Sequence, residues 1–123
     1  MTLTVLTPRE ASSFACLVDT VVAPAPPLPP VSETDAVSSF DAWLARAPAA
    51  NRAALRSVLY PLARMRRLSP EARVAYLERA GRSRAPGARQ MVEAIRSTAA
   101  LSYYGDANVM RLLGYDADER LRR

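Results

Sequence analysis

An all-α fold, one small domain of five or six helices with a Pro-rich extended segment after the first, is predicted for this chain by three features. Ala, Leu and Arg, all strong helix formers, dominate a composition that holds only four glycines. Apolar residues recur at spacings of three and four, and helix-start and helix-stop residues punctuate them. No segment shows the strict alternation of a half-buried strand. The 123 residues, half of them apolar, are enough for one domain around one core.

The elements follow in order. Residues 1–6 read as an N-terminal extended arm. Thr7-Pro8-Arg9-Glu10 is a helix start: Thr7 caps, Pro8 suits the first helical position, and Glu10 completes a capping box. Phe14, Leu17, Val18, Val21 and Val22 then form one apolar face. Pro24 ends this helix, and residues 23–34 read as a Pro-rich linker. Five prolines (Pro24, Pro26, Pro27, Pro29 and Pro30) favour a stiff polyproline II surface connector there.

Ser32 to Asp35 supply caps for a second helix over 35–46, with Val37, Phe40 and Leu44 inward and Trp43 on a flank. Pro48 breaks it. The spacing of Leu55, Val58, Leu59, Leu62 and Met65 predicts a third helix over 49–67, kinked by Pro61 between Val58 and Leu62. Ser69 and Pro70 start a fourth helix, which Gly81 stops, with Val74, Tyr76 and Leu77 facing inward. After a basic turn from Arg82 to Gly87, a fifth helix spans 88–104, with Met91, Ile95, Ala99 and Leu101 apolar. Asp106 caps a sixth over 107–113, which offers Val109, Leu112 and Leu113. Gly105 and Gly114 are read as left-handed helix stops. The tail, 117–123, is charged and frays.

The composition excludes much chemistry. Histidine is absent, and all 17 basic residues are arginine. A His-based triad, a His metal site and a Schiff-base lysine are therefore impossible. The single cysteine, Cys16, lies among Phe14, Leu17 and Val18, where it reads as a small buried hydrophobe rather than a reactive thiol. Asp106, Asp116, Asp118 and Glu119 cluster near the end, but Asp106 has a capping task and the others lie in or near the tail. There is no Gly-rich phosphate loop, nucleophile elbow or dinucleotide fingerprint. No catalytic, cofactor-binding or metal-binding residue is expected on this chain.

The net charge of +5 admits a nucleic-acid binder, but the arginines are spread along the chain with acidic residues between them and read first as an ordinary solvated face, with an acidic protein partner, and then nucleic acid or anionic lipid, as the alternatives. The densest basic cluster is Arg64, Arg66 and Arg67, followed by Arg73, Arg79, Arg82 and Arg84. The fourth and fifth helices superficially fit a helix-turn-helix, but their turn contains Pro86 and Gly87 and is longer than the usual tight turn. No apolar stretch approaches the roughly 20 residues of a membrane span. The N-terminus, Met1 to Leu6, is too short and uncharged for a secretory signal and lacks a twin-arginine pair, so a cytoplasmic protein is expected.

Three of the five tyrosines fall in Ser102 to Asp116. Tyr103 and Tyr104 end one helix and Tyr115 follows the next, forming an aromatic corner suited equally to core or interface.

Three blocks, in order, resemble the gluconate 2-dehydrogenase subunit 3 family. The first is Leu6-Thr-Pro-Arg-Glu-Ala11 with Phe14-Ala-Cys-Leu-Val-Asp-Thr-Val-Val22 and Pro24. The second is Leu68-Ser-Pro-Glu-Ala-Arg73 with the helix through Arg79. The third, and most specific, is Tyr103-Tyr-Gly-Asp106 followed by Leu113-Gly-Tyr-Asp116. Members are small helical subunits that accompany FAD-dependent oxidoreductases of the glucose-methanol-choline class. The resemblance implies a non-catalytic accessory subunit whose larger partner carries the FAD and oxidises an alcohol, sugar or sterol-type substrate. Trp43, Tyr103, Tyr104 and Tyr115 are the expected partner anchors, and the Pro-rich run is expected to wrap the partner. Many members carry a twin-arginine signal and this chain does not, so a cytoplasmic complex is the expectation unless the partner brings its own signal. The alternative is a small basic helical regulator that binds nucleic acid.

Overall fold

A capping box opens the first helix. The Thr7 hydroxyl accepts from the Glu10 N–H at 3.1 Å, and the Glu10 carboxylate accepts from the Thr7 N–H at 2.9 Å. The structure is a computed structural model that describes residues 3–85 and 87–114. Six helices follow one another: α1 (Pro8–Val22), α2 (Ala36–Arg46), α3 (Ala49–Leu62), α4 (Pro70–Ala80), α5 (Ala88–Tyr104) and α6 (Ala107–Leu112). Two 3-10 turns, Val31–Glu33 and Ala63–Arg67, lie between them, and no strand occurs among the described residues. The fold is all-α. Tyr115 and the 117–123 tail lie outside the described residues.

The apolar stripe of α1 explains the arrangement. Phe14, Leu17 and Val18 are wholly buried, and α2, α3, α4, α5 and both 3-10 turns pack against this helix. Phe14 stacks on Phe40 of α2, with ring centroids 3.9 Å apart and planes 11° from parallel. Leu44, Leu55, Leu59, Leu62, Met65, Leu77, Ile95, Ala99 and Val109 complete the core. Cys16 is half-buried against it, and burial pushes its thiol up. The α1 cap also reaches α3: Arg56 places Nε and a terminal nitrogen on the two Glu10 oxygens at 2.9 and 3.0 Å. Burial raises the Glu10 pKa, but the Arg56 and Thr7 hydrogen bonds outweigh it and hold the carboxyl below its usual range.

The N-terminal arm is fastened by a residue that periodicity does not flag. Asp41 on α2 is 3% exposed. Its two oxygens accept the backbone N–H groups of Thr4 at 2.7 Å, Val5 at 2.9 Å and Leu6 at 2.8 Å. Burial alone would raise the Asp41 pKa. The bonds from Leu6, Thr4 and Val5 outweigh that and hold the carboxyl below the ordinary aspartate range.

Several sequence expectations are corrected. The third helix stops at Leu62, and residues 63–67 continue as a 3-10 turn. Pro61 lies inside α3 and lacks the N–H that would reach back to the Ser57 carbonyl, and the change to 3-10 geometry comes after Leu62. Carbonyls there are taken up by α4: the Arg73 guanidinium donates to the Met65 and Arg66 carbonyls, and the Tyr76 hydroxyl to that of Pro61. The connection from α1 to α2 spans residues 23–35, close to the expected 23–34, but it is not a plain surface connector: Val31–Glu33 forms a 3-10 turn, and Pro29 and Val31 are buried. Val74 is exposed because α4 turns the face of Arg73, Tyr76, Leu77 and Ala80 inward. Leu112 and Leu113 are exposed because the short α6 buries Val109 alone. Gly105 is right-handed, with φ −79°. Space, not handedness, requires glycine there: a Cβ would lie 2.9 Å from the Leu101 carbonyl oxygen. Gly114, with φ +80°, is the left-handed stop expected.

Two outcomes follow. Asp41→Ala strands three backbone donors and should lower stability by about 3 kcal/mol, a fall in Tm on the order of 10 °C by circular dichroism. Asp41 binds its proton less tightly folded than unfolded. Its contribution is therefore full above the unfolded pKa of about 3.9 and disappears as the pH falls through the lower native value. Stability of the wild type should drop more steeply below about pH 4 than that of Asp41→Asn. Parallel acid titrations would remove Asp41 as the arm's anchor. The second outcome concerns Ala23, which closes α1 in the left-handed region at φ 47°. Ala23→Gly relieves that strain and should raise the urea midpoint, by about 0.5–1 kcal/mol in stability.

Candidate functional site

Trp43 lies three residues beyond the core ring of Phe40, so it shares that side of α2 but stands further out. Phe40 is 1% exposed and Trp43 is 45% exposed, and their rings are 6.1 Å apart and 19° from parallel. Across from them, α5 presents Thr98, Leu101 and Ser102. Together these five residues line a shallow groove of about 260 Å³ between α2 and α5. Phe40 is its buried member, Trp43 and Leu101 its exposed apolar sides, and two hydroxyls supply the polar part. Leu101 is 74% exposed. Tyr104, three residues on, shares its side of α5 and is 41% exposed.

The structure divides the expected anchors. Trp43 and Tyr104 are at the surface. Tyr103 is fully buried and is not a surface anchor. Its ring lies on the inward stripe with Ile95 and Ala99, edge-on to Tyr104 at 5.3 Å. Its hydroxyl donates to the Pro29 carbonyl at 2.7 Å, which fastens the Pro-rich segment to α5. Burial, with Tyr104 and Asp106 nearby, pushes the Tyr103 phenol up. The expectation that this run wraps a partner is therefore corrected at its C-terminal part, which packs on the chain's own core. Tyr115 lies outside the described residues.

Leu101 was expected to belong to the apolar face of α5, and the structure places it outside. Two residues beyond Ala99 means about 200° of helix rotation, so the inward stripe of Ile95, Ala99 and Tyr103 excludes it. That helical arithmetic was the available signal for an exposed leucine. Thr98 and Ser102 gave none, because small polar residues on a helix surface are ordinary.

The charged groups near this end have structural tasks. Asp106 is 8% exposed and accepts from Asn108 and Val109 at the start of α6, as the sequence led one to expect. It also accepts the Asp35 N–H at 3.0 Å, tying α6 to the start of α2. Burial raises its pKa, and the three backbone bonds outweigh this and lower it. Burial and the Asp106 charge push Asp35 the other way, upward. Among the described residues no group of three or more Cys, Asp or Glu side chains is placed to hold a metal ion. No helix among them is long and apolar enough to cross a membrane. What the groove offers chemically is apolar contact with two hydroxyls beside it, which suits recognition of a side chain or a helix face. No family model matches the chain, and neither a curated protein nor a solved structure matches it.

Proposed function

We propose that this chain is a non-catalytic small subunit that binds a separate, larger FAD-dependent oxidoreductase and stabilises or matures it. The partner belongs to the glucose-methanol-choline class in this reading, acts on an alcohol, sugar or sterol-type substrate, and carries the FAD. The small chain supplies no catalytic group or cofactor, and the hetero-oligomer works in the cytoplasm. The ordered resemblance of the three sequence blocks supports the reading.

The observation that carries it is the exposed apolar set of Trp43, Leu101 and Tyr104 on two firmly packed helices. Aromatic side chains held on rigid elements concentrate interface energy, and obligate interfaces bury more than about 2,000 Å² in total. Trp43 is backed by Phe40 and Tyr104 by Tyr103, so both rings meet a partner with part of their ordering already done.

Affinity purification of the tagged chain from its native cells is the test, read by flavin absorbance in the eluate. The wild type should bring down a yellow protein. Trp43→Ala and Leu101→Asp should each reduce the retained flavin at least about tenfold; Leu101→Asp leaves Tm unchanged because its side chain is exposed, whereas Trp43→Ala also lowers Tm by a few degrees because it loses the contact with Phe40. Tyr103→Phe loses the bond to Pro29 and should lower stability by about 1 kcal/mol without affecting the partner. A wild-type chain that elutes alone, folded and colourless, refutes the proposal.

A further inference from the structure

The positive charge of this protein is concentrated in one stretch. Residues 63–85 contain seven arginines against two glutamates, while the rest of the chain holds ten of each sign. The +5 of the whole molecule is therefore the +5 of this stretch, which comprises the second 3-10 turn, α4 and the residues after it.

The turn Ala63–Arg67 carries the densest part. Arg64, Arg66 and Arg67 are all exposed. Its backbone is fixed from three directions: Met65 is wholly buried, Arg73 donates to the Met65 and Arg66 carbonyls at 2.9 and 3.2 Å, and the Leu68 N–H closes on Met65 at 3.0 Å. In a 3-10 turn, side chains three apart eclipse, which sets Arg64 and Arg67 on one side. Among the described residues the ion pairs are Arg56 with Glu10 and Arg96 with Glu93, and neither involves this turn. Two planar guanidinium groups on a fixed backbone, with a third beside them, match carboxylates in a paired geometry.

We propose that this arginine turn is a docking site for a short acidic segment of a protein partner. The neighbouring surface decides for protein over nucleic acid. The exposed residues of α4 are Pro70, Glu71, Val74, Ala75, Glu78 and Arg79, so two glutamates stand against one arginine there. A nucleic-acid backbone, with one charge per about 1.7 Å of duplex axis, would run from the turn onto two glutamates and an exposed valine. A five-residue turn at about 2 Å per residue spans about 10 Å, which suits a few carboxylates. The inference is independent of the flavoprotein reading, since it concerns a different element and a different chemistry.

Fluorescence anisotropy on the full chain tests it, with labelled hexaglutamate as the probe and a labelled single-stranded thymidine oligonucleotide of equal charge as the competitor class. Hexaglutamate should bind saturably at low salt and weaken as salt rises. Arg64→Gln/Arg67→Gln should weaken it at least about tenfold, and Arg66→Gln by less, while Arg46→Gln on α2 leaves it unchanged. All these side chains are exposed, and circular dichroism of each variant, with the single Arg64→Gln and Arg67→Gln chains alongside, keeps the comparison among folded proteins. Absence of saturable peptide binding, equal binding by the double variant, or tighter binding of the oligonucleotide overturns the proposal.

Discussion

The stack of Phe14 on Phe40 sets α1 against α2, and most of the molecule is arranged around the stripe to which Phe14 belongs. At 3.9 Å between centroids the two rings are in full contact, and neither is measurably exposed beyond 1%. α3, α4 and α5 also pack against α1, on which Leu17 and Val18 are wholly buried. The stack has a second consequence at the surface. Phe40 is shared between the core and the α2–α5 groove, so the element that fixes the fold also fixes the platform beneath Trp43. Loss of packing at Phe14 would thus be transmitted to the groove without any contact of its own there.

Buried carboxylates do the work of closing loose ends. Asp41 takes three N–H groups from the arm, and Asp106 takes two from α6 and one from Asp35. Both remain charged inside the protein because backbone donors replace the water each has lost. The N-terminal arm, expected to be extended, bends at Thr4 and Val5, which turns three successive N–H groups to one side, where a single aspartate accepts them all. Tyr103 acts similarly toward the Pro-rich segment, giving one hydroxyl to the Pro29 carbonyl. No buried side-chain nitrogen or oxygen among the described residues lacks a partner.

The surface, by contrast, separates apolar from basic recognition. Trp43 and Leu101 expose carbon on α2 and α5, while Arg64, Arg66 and Arg67 gather on the 3-10 turn that follows α3. Buried Met65 and the two bonds from Arg73 hold that turn as a short rigid display of charge.

Local signals determined the helices. Thr7 with Glu10, Ser69 with Pro70, and Asp106 each cap within four residues of themselves, so the sequence alone located those starts, and the 3.6-residue period located most of the core. The same locality explains the misses. Whether Tyr103 or Tyr104 faces inward depends on which stripe of α5 meets α1, and that is a contact between residues some ninety positions apart. Asp41 looked like any polar residue on an amphipathic helix, because its partners lie 35 to 37 residues away. Leu101 looked like core because its neighbours were apolar, and only the packed orientation of α5 left it outside. The order of the helices and the chemistry the chain lacks, with neither histidine nor lysine, were written in the sequence. The faces those helices turn to one another, and hence the groove, were decided by tertiary packing, because burial is a property of pairs of elements and not of one.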